Sequence, residues 1–180
     1  MLYTAHYDSP LGGITMSCDG VALIGLWFES QRHFGSTLPT DHIDRPDHPV
    51  FETARRWLDT FFSGGVPQEM PPLALHGSPF QRRVWDILLT IPYGHTMTYG
   101  EIARQITKDT GVTAMSAQAV GGAVGRNPIS LIVPCHRVIG ANGQLTGYGG
   151  GIERKRWLLE QEKPHPKQPH PRPLSKGRGE

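Results

Sequence analysis

The sequence contains few cysteines, and this shortage excludes several classes of protein. Cys18 and Cys135 are the two cysteines among 180 residues, so a disulfide-rich scaffold is excluded. One structural disulfide is conceivable, but a reduced chain in the cytoplasm fits this usage better. His33, His42 and His48 have at most one cysteine near them, which is not zinc-binding spacing, so we predict no metal site.

Long apolar runs are also missing from the sequence. No stretch of about 18 apolar residues occurs, so we expect no membrane-spanning helix and no membrane partner. The N-terminus has no basic segment followed by an apolar core, which argues against a secretory signal. We therefore predict a cytoplasmic protein, and we expect no bound cofactor.

Charge is distributed unevenly along the chain. Residues 1–75 carry four basic and nine acidic side chains, a net charge of −5, whereas residues 76–162 carry nine and six, a net charge of +3. Residues 163–180 add five basic side chains and one acidic side chain, a net charge of +4. This asymmetry predicts that a polyanion binds the later part of the chain. A net charge of +3 on such a segment is also unremarkable by itself.

Residues 1–75 are predicted to form a small supporting domain built on an antiparallel sheet. Asp19-Gly20 is a strong hairpin signal between two of the predicted strands. The three apolar segments that read as strands are 2–7, 14–18 and 21–28. A helix is predicted over 50–61 from the spacing of its apolar residues. The polar, proline-containing segments that read as a loop and a linker are 35–49 and 67–72.

Residues 76–162 are predicted to form a second, mainly helical domain. Ser78 and Thr98 each begin a capping box, which predicts helices over 79–91 and from 99 to about 107. A third short helix over 115–124 follows a turn, which suggests a helix-turn-helix. This third helix is rich in alanine and glycine, so it suits close approach to the DNA minor groove, about 6 Å wide. Tight packing inside the protein explains the same composition equally well.

The end of the chain divides into a helix and a tail. Residues 152–162 read as a final helix. Residues 163–180 are rich in proline and basic residues and contain one aliphatic side chain, so they are expected to form a disordered tail. Such a tail adds at most non-specific attraction to a polyanion.

The segment 132–139 places reactive side chains between two apolar flanks. Residues 131–133 read as a buried strand that Pro134 ends, so Cys135 lies where regular backbone stops, with His136 beside it. The thiolate is the nucleophilic form of cysteine, and an imidazole can accept the thiol proton. Because adjacent residues seldom face each other, we expect a bent or water-bridged contact. The alternative is a buried structural cysteine.

The run Pro-Cys-His-Arg-Val at 134–138 closely resembles the active site of the O6-alkylguanine-DNA alkyltransferases. The same resemblance includes Asn127-Pro128 before this run and the glycine-rich segment 147–150 after it. It extends over about 78–162 and, more weakly, over the N-terminal third. It implies an α+β fold, with a ribonuclease H-like sheet and helix before a winged-helix-like helix-turn-helix domain. It also implies a monomeric protein whose partner is double-stranded DNA containing alkylated bases.

The resemblance implies DNA repair by a methyltransferase that acts once, moving the alkyl group from guanine O6 to Cys135. His136 is the implied base, acting through a water molecule, and Glu162 orients its imidazole. Tyr99 is implied to assist rotation of the nucleotide out of the duplex and to donate a proton toward guanine N3. Asn127 is implied to connect the helix-turn-helix to the active site. Acceptance of O4-alkylthymine stays open.

The resemblance also implies a DNA-binding surface and a pocket for the flipped base. Implied DNA contacts are Gln118, Ala119, Gly121, Gly122, Ala123, Arg126 and Arg137. The pocket is implied to contain Val133, Tyr148 and Gly149, and backbone carbonyls near Val133 and Cys135 would read the exocyclic amine of guanine. Many family members have arginine at the position of Gln118, where it enters the gap left by the flipped nucleotide. The shorter, uncharged Gln118 is a departure that puts this role in doubt.

Three other functions fit parts of the pattern. A non-catalytic module that binds alkylated DNA is disfavoured because Cys135 is present. A cysteine hydrolase with Cys135, His136 and Glu162 is disfavoured because the sequence shows no evident oxyanion loop. A helix-turn-helix transcriptional regulator is disfavoured because no regulatory module accompanies the domain.

Overall fold

The computed structural model describes residues 1–112 and 114–164 of the chain. Its strands are β1 (Leu2–Ser9), β2 (Gly12–Cys18), β3 (Leu23–Phe28), β4 (His42–Asp44), β5 (Met97–Thr98) and β6 (Val138–Ile139). Its helices are α1 (Pro49–Phe62), α2 (Pro79–Leu88), α3 (Tyr99–Thr110), α4 (Ala117–Gly125), a 3₁₀ helix (Cys135–Arg137) and α5 (Ile152–Glu162). Most of the predicted tail, residues 165–180, lies outside the described residues. None of the described helices is long and apolar enough to cross a membrane.

The N-terminal sheet has the strand order β3-β2-β1-β4. The first three strands are antiparallel, as predicted, but β4 runs parallel to β1. The sheet is therefore mixed, and the segment predicted as a loop contains a strand. All three residues of β4 are exposed, so it lacks the apolar alternation that identifies a strand. The third strand starts at Leu23 because Asp19 accepts hydrogen bonds from Val21 N and Ala22 N, which extends the turn.

One continuous core connects the sheet, α1 and the later helices. The apolar face of α1 buries Phe51, Leu58 and Phe61 completely, and each such side chain stabilises the fold by roughly 1.5–3 kcal/mol. The linker continues along the outer edge of β3, where Leu23 N donates to Pro72 O at 2.7 Å. On α2, the indole of Trp85 donates to Ala123 O at 2.9 Å, which ties α2 to α4.

The predicted capping boxes are confirmed. Ser78 Oγ accepts from Gln81 N at 3.1 Å while Gln81 Oε1 accepts from Ser78 N at 3.0 Å. Thr98 and Glu101 make the same reciprocal pair at the start of α3. These caps satisfy backbone donors that the first turn of a helix leaves unpaired. They fix where α2 and α3 begin.

Two glycine substitutions should have opposite effects on stability. A Cβ atom at Gly25 would overlap the buried ring of Trp27, so Gly25→Ala should lower the free energy of unfolding by about 1–3 kcal/mol. A Cβ atom at Gly122 would enter open space on α4, so Gly122→Ala should raise it by about 0.5–1 kcal/mol. Denaturant unfolding of both variants checks this, and equal effects would contradict it.

Candidate active site

The backbone before Cys135 is a buried, bent segment. The prediction of a strand over 131–133 is wrong, because Leu131 adopts a left-handed conformation with φ of 70° and the chain turns there. Asn127 holds this bend through its side chain, since Nδ2 donates to Val133 O at 2.8 Å and Oδ1 accepts from Ile129 N at 3.0 Å. The bend presents Cys135 at the start of the 3₁₀ helix.

The N-terminal sheet supports this bend directly. Leu26 N of β3 donates to Pro128 O, and Ser130 N donates to Leu26 O, both at 2.9 Å. Ile129 therefore pairs with Leu26 as one more bridge at the edge of the sheet. These bonds fix the start of the segment that leads to Cys135 against a rigid element.

A buried carboxylate joins His136 and Arg137. Glu162 Oε1 accepts from His136 Nε2 at 3.0 Å and from Arg137 Nη2 at 2.6 Å, and Oε2 accepts from Arg137 Nε at 2.9 Å. Arg137 Nη1 also donates to Ile91 O at 2.8 Å. Burial opposes ionisation of Glu162, but the hydrogen bonds from His136 and Arg137 outweigh it and hold the pKa of Glu162 at about 2. Glu162 is therefore an anion at neutral pH.

The Glu162 anion determines which nitrogen of His136 is basic. A carboxylate can only accept hydrogen bonds, so Nε2 carries the proton and Nδ1 is left as an acceptor. Nδ1 is buried and makes no hydrogen bond to any other described residue. Burial lowers the pKa of His136, and the bond to Glu162 offsets this only in part. The imidazole is therefore a neutral base next to Cys135.

The thiol of Cys135 is protonated in this closed site. Burial raises the pKa of Cys135, while the hydrogen bond from Asn127 and the charge of Lys155 lower it. Burial also lowers the pKa of Lys155, to about 8, and Lys155 Nζ donates to Thr146 O at 3.0 Å. Lys155 was not among the site residues predicted from the sequence. Its signal was the helical spacing of Lys155, Leu158 and Glu162, which form the buried face of α5.

The pocket at Cys135 is nearly closed. Its volume is about 10 Å³, scarcely enough for one water molecule. Tyr148 lines it, and its buried hydroxyl has no hydrogen-bond partner within residues 1–112 and 114–164. Gln31, which was not predicted from the sequence, forms another wall and accepts a hydrogen bond from Ser130 Oγ at 3.1 Å. Nothing in its local sequence distinguished Gln31 from an ordinary polar loop residue.

Three residues implied in DNA or base contacts require correction. Arg137 is buried and both ends of its guanidinium are bound, to Glu162 and to Ile91 O, so it offers no charge to DNA. Ala123 is buried in the core. Val133 O already accepts from Asn127 Nδ2 and from Cys135 N, so both lone pairs of this carbonyl are occupied.

The other implied DNA contacts lie on one face of α4. Gln118, Ala119 and Gly122 are exposed, Gly121 is half-buried, and Arg126 is exposed at the end of the helix. Tyr99 lies beside this face, since a Cβ atom at Gly121 would be 3.8 Å from its ring.

The positions of Tyr99 and Gly149, and the arrangement of potential metal ligands, complete the description of the site. The Tyr99 hydroxyl donates to Thr146 O at 3.0 Å, and Gly149 lines the pocket with Tyr148. No group of three or more His, Cys, Asp or Glu side chains in the described part of the chain is arranged to hold a metal ion.

Two family models match the chain. The 6-O-methylguanine DNA methyltransferase ribonuclease-like domain matches residues 2–71, and the DNA binding domain of the same family matches residues 79–164. The chain belongs to the 6-O-methylguanine DNA methyltransferase family. The resemblance seen in the sequence and the predicted α+β fold are thereby confirmed. The matches extend over both halves of the chain.

Individual members of the 6-O-methylguanine DNA methyltransferase family agree closely with this chain. The methylated-DNA–protein-cysteine methyltransferase of Mycobacterium bovis is 48% identical over 163 residues, covering 91% of this chain and 93% of its own. The Haemophilus influenzae protein of the same name is 40% identical, covering 90% and 87%. The crystal structure of Mycobacterium tuberculosis OGT in complex with DNA is 48% identical, covers 90% and 92%, and has a TM-score of 0.78.

Replacing Glu162 by Gln should destabilise the protein by about 3–5 kcal/mol, because Arg137 would keep a buried charge without a counter-ion. The pKa of Glu162 in the folded protein lies below the ordinary value of 4.5. The stability that the Glu162 carboxylate contributes is therefore complete above pH 4.5 and is lost as pH falls through about 2. As pH falls from 4.5 to about 2, the free energy of unfolding should therefore fall further for the wild type than for Glu162→Gln. Denaturant unfolding at a series of pH values measures this difference.

Glu153→Gln is the matched control for this experiment. Glu153 lies on the same helix and pairs with Arg156, but it is 89% exposed. A destabilisation by Glu153→Gln as large as that by Glu162→Gln would contradict the assignment.

Proposed function

We propose that this protein repairs DNA by moving the alkyl group of O6-alkylguanine to the sulfur of Cys135, in a reaction that each molecule performs once. The observation that carries the proposal is the buried set Cys135, His136 and Glu162, in which His136 keeps one basic nitrogen unpaired. The names of the relatives support it, as does the DNA complex of the Mycobacterium tuberculosis protein.

The reaction is an in-line displacement at the alkyl carbon. The thiol proton moves to His136 Nδ1, through one water molecule, and Glu162 stabilises the resulting imidazolium. Sulfur then bonds to the alkyl carbon while the bond from that carbon to O6 breaks. The guanine takes up a proton as it leaves, and the Tyr99 hydroxyl, released from Thr146 O, is the proposed donor. The product thioether has no readily displaced group, which explains single use.

Two neighbours of the sulfur assist its ionisation. The side-chain amide of Asn127 and the positive charge of Lys155 both lower the pKa of the Cys135 thiol, against the effect of burial. Asn127 also fixes the bend at Val133, so it connects the end of α4 with the nucleophile. We assign both residues positioning and electrostatic roles.

Entry of the alkylated base requires the pocket to open. A purine is many times larger than the present cavity of about 10 Å³. The glycine-rich segment 147–150 forms one wall, and Gly147 within it and Gly151 directly after it have positive φ values of 47° and 94°. Glycine adopts such backbone without strain, so this segment is the element suited to move. Tyr148 would then stack on the incoming base.

The exposed face of α4 is the proposed DNA-binding surface. Gly122 and Gly125 present no side chain there, and a Cβ atom at either position would meet nothing within 4 Å. The backbone can therefore approach the floor of a minor groove closely. Arg126 follows at the end of the helix and is exposed for contact with phosphate.

Alkyl transfer should be one-to-one and should depend on Cys135. Cys135→Ser should abolish transfer because the hydroxyl is a much weaker nucleophile, while Cys18→Ser should retain it since Cys18 is buried elsewhere in the core. Incubation with labelled methylated DNA, followed by peptide mass spectrometry, should locate the label on the peptide containing Cys135. Repeated turnover by one molecule would refute the proposal.

Gln118 should limit the rate of repair in duplex DNA. Gln118 is exposed in the first turn of α4, and we propose that it enters the gap left by a flipped nucleotide. A guanidinium there gains about 1.5–3 kcal/mol from charge-assisted hydrogen bonds, against about 0.5–1.5 kcal/mol for an amide. Gln118→Arg should therefore accelerate duplex repair about ten-fold, for a gain of about 1.4 kcal/mol.

The free modified base is the control substrate for this comparison, because its reaction needs no flipping. Gln118→Ala should slow duplex repair more than it slows the reaction with the free base. If Gln118→Ala left duplex repair unchanged, Gln118 would not fill the gap, and Arg126 would be tested in that role.

A further inference from the structure

An open cleft of about 490 Å³ adjoins the Cys135 pocket. The two share the glycine-rich segment 147–149 and Gly125 at the end of α4. One side of the cleft is the glycine face of α4 with Arg126. Arg32 and His33, which come from the N-terminal half of the chain, also line the cleft.

The charge of this cleft differs from that of the N-terminal half as a whole. Residues 1–75 carry a net charge of −5, yet no Asp or Glu is among the described residues that line the cleft. Arg32 and Arg126 are both exposed, and both line the cleft and contribute positive charge to it. The arrangement suits an anionic chain that runs between them.

The Arg32–His33 segment is held in place by backbone contacts. Arg32 N donates to Gly149 O at 2.9 Å, which ties it to the wall of the Cys135 pocket. His33 has a φ of 60°, a conformation that costs a residue with a side chain free energy. Strained residues of this kind cluster at functional sites.

We propose that Arg32 and His33 bind the phosphate backbone of the strand that carries the alkylated guanine, beside the point where the nucleotide leaves the duplex. The proposal rests on the proposed function, because it takes the same DNA as ligand. The flipped nucleotide leaves through the side of α4 that faces the cleft, so its flanking phosphates pass between Arg126 and Arg32. The DNA-binding surface then includes both halves of the chain.

The test is equilibrium binding of the full-length protein to duplex DNA containing O6-methylguanine, at several salt concentrations. The binding experiments use Cys135→Ser backgrounds so that no transfer occurs. Arg32→Ala should weaken binding about three- to ten-fold and reduce the slope of log affinity against log salt by about one. Arg32→Glu should weaken binding further, and Arg32→Lys should retain most of it.

Arg56→Ala is the matched control, because it removes the same charge from the N-terminal half. Arg56 lies on α1 and pairs with Glu52 and Glu69, away from the cleft. Its affinity and salt slope should equal those of the parent protein. Equal weakening by Arg32→Ala and Arg56→Ala would overturn the proposal, since it would reflect net charge alone.

Transfer rates in the Cys135-containing proteins separate this inference from the proposed function. The ratio of the rate with duplex DNA to the rate with free O6-methylguanine base should fall by the factor seen in binding. If Arg32→Ala slowed both substrates equally, Arg32 would act on the pocket and the inference would fail. If the wild type transferred no methyl group from either substrate, the proposed function itself would fail.

Discussion

The ionised carboxylate of Glu162 is the contact on which the rest of the site depends. It neutralises the buried guanidinium of Arg137 and also fixes the proton of His136 on Nε2. Removing either Glu162 or Arg137 leaves the other as a buried charge without a counter-ion, which is among the most costly changes in a folded protein. Because Arg137 also binds Ile91 O beyond α2, the same carboxylate holds α5, the 3₁₀ helix and the end of α2 together. The geometry of the site and the stability of the fold are thus coupled through one residue.

The N-terminal half of the chain forms part of the wall of the Cys135 pocket and also supports the segment that leads to Cys135. At the far end of α5, Arg154 donates to Leu11 O at 2.9 Å and to Gly150 O at 2.8 Å, and its guanidinium lies 4.6 Å from the centre of the Phe28 ring. The glycine-rich wall of the pocket is therefore anchored to the sheet. Gln31 completes the opposite wall. Opening the pocket must disturb contacts with the sheet, so access to the sulfur depends on residues remote from it in sequence.

Local patterns predicted the parts of the fold that local physics decides. The capping boxes at Ser78 and Thr98 each join two residues three positions apart, so a short stretch of sequence contains both partners. The predictions were wrong where contacts between residues distant in sequence determine the structure. The strand β4 is recognisable only by its pairing with β1, and the burial of Arg137 depends on a carboxylate 25 residues away. An apolar run beside Cys135 reads as a strand unless the side-chain bonds of Asn127, which bend it, are known.

The closed site explains how a single-use nucleophile can be kept unreactive before its substrate arrives. Burial raises the pKa of Cys135 and lowers that of His136, so both shifts favour the neutral pair over thiolate and imidazolium. A neutral thiol in a cavity of about 10 Å³ is protected from oxidants and adventitious electrophiles. The charges of Lys155 and Glu162 are nevertheless in place to stabilise the ion pair once proton transfer begins. Because Lys155 and Glu162 are already oriented, the site needs little reorganisation as the ion pair forms. The barrier to ionisation therefore falls when the alkyl carbon is in line with sulfur.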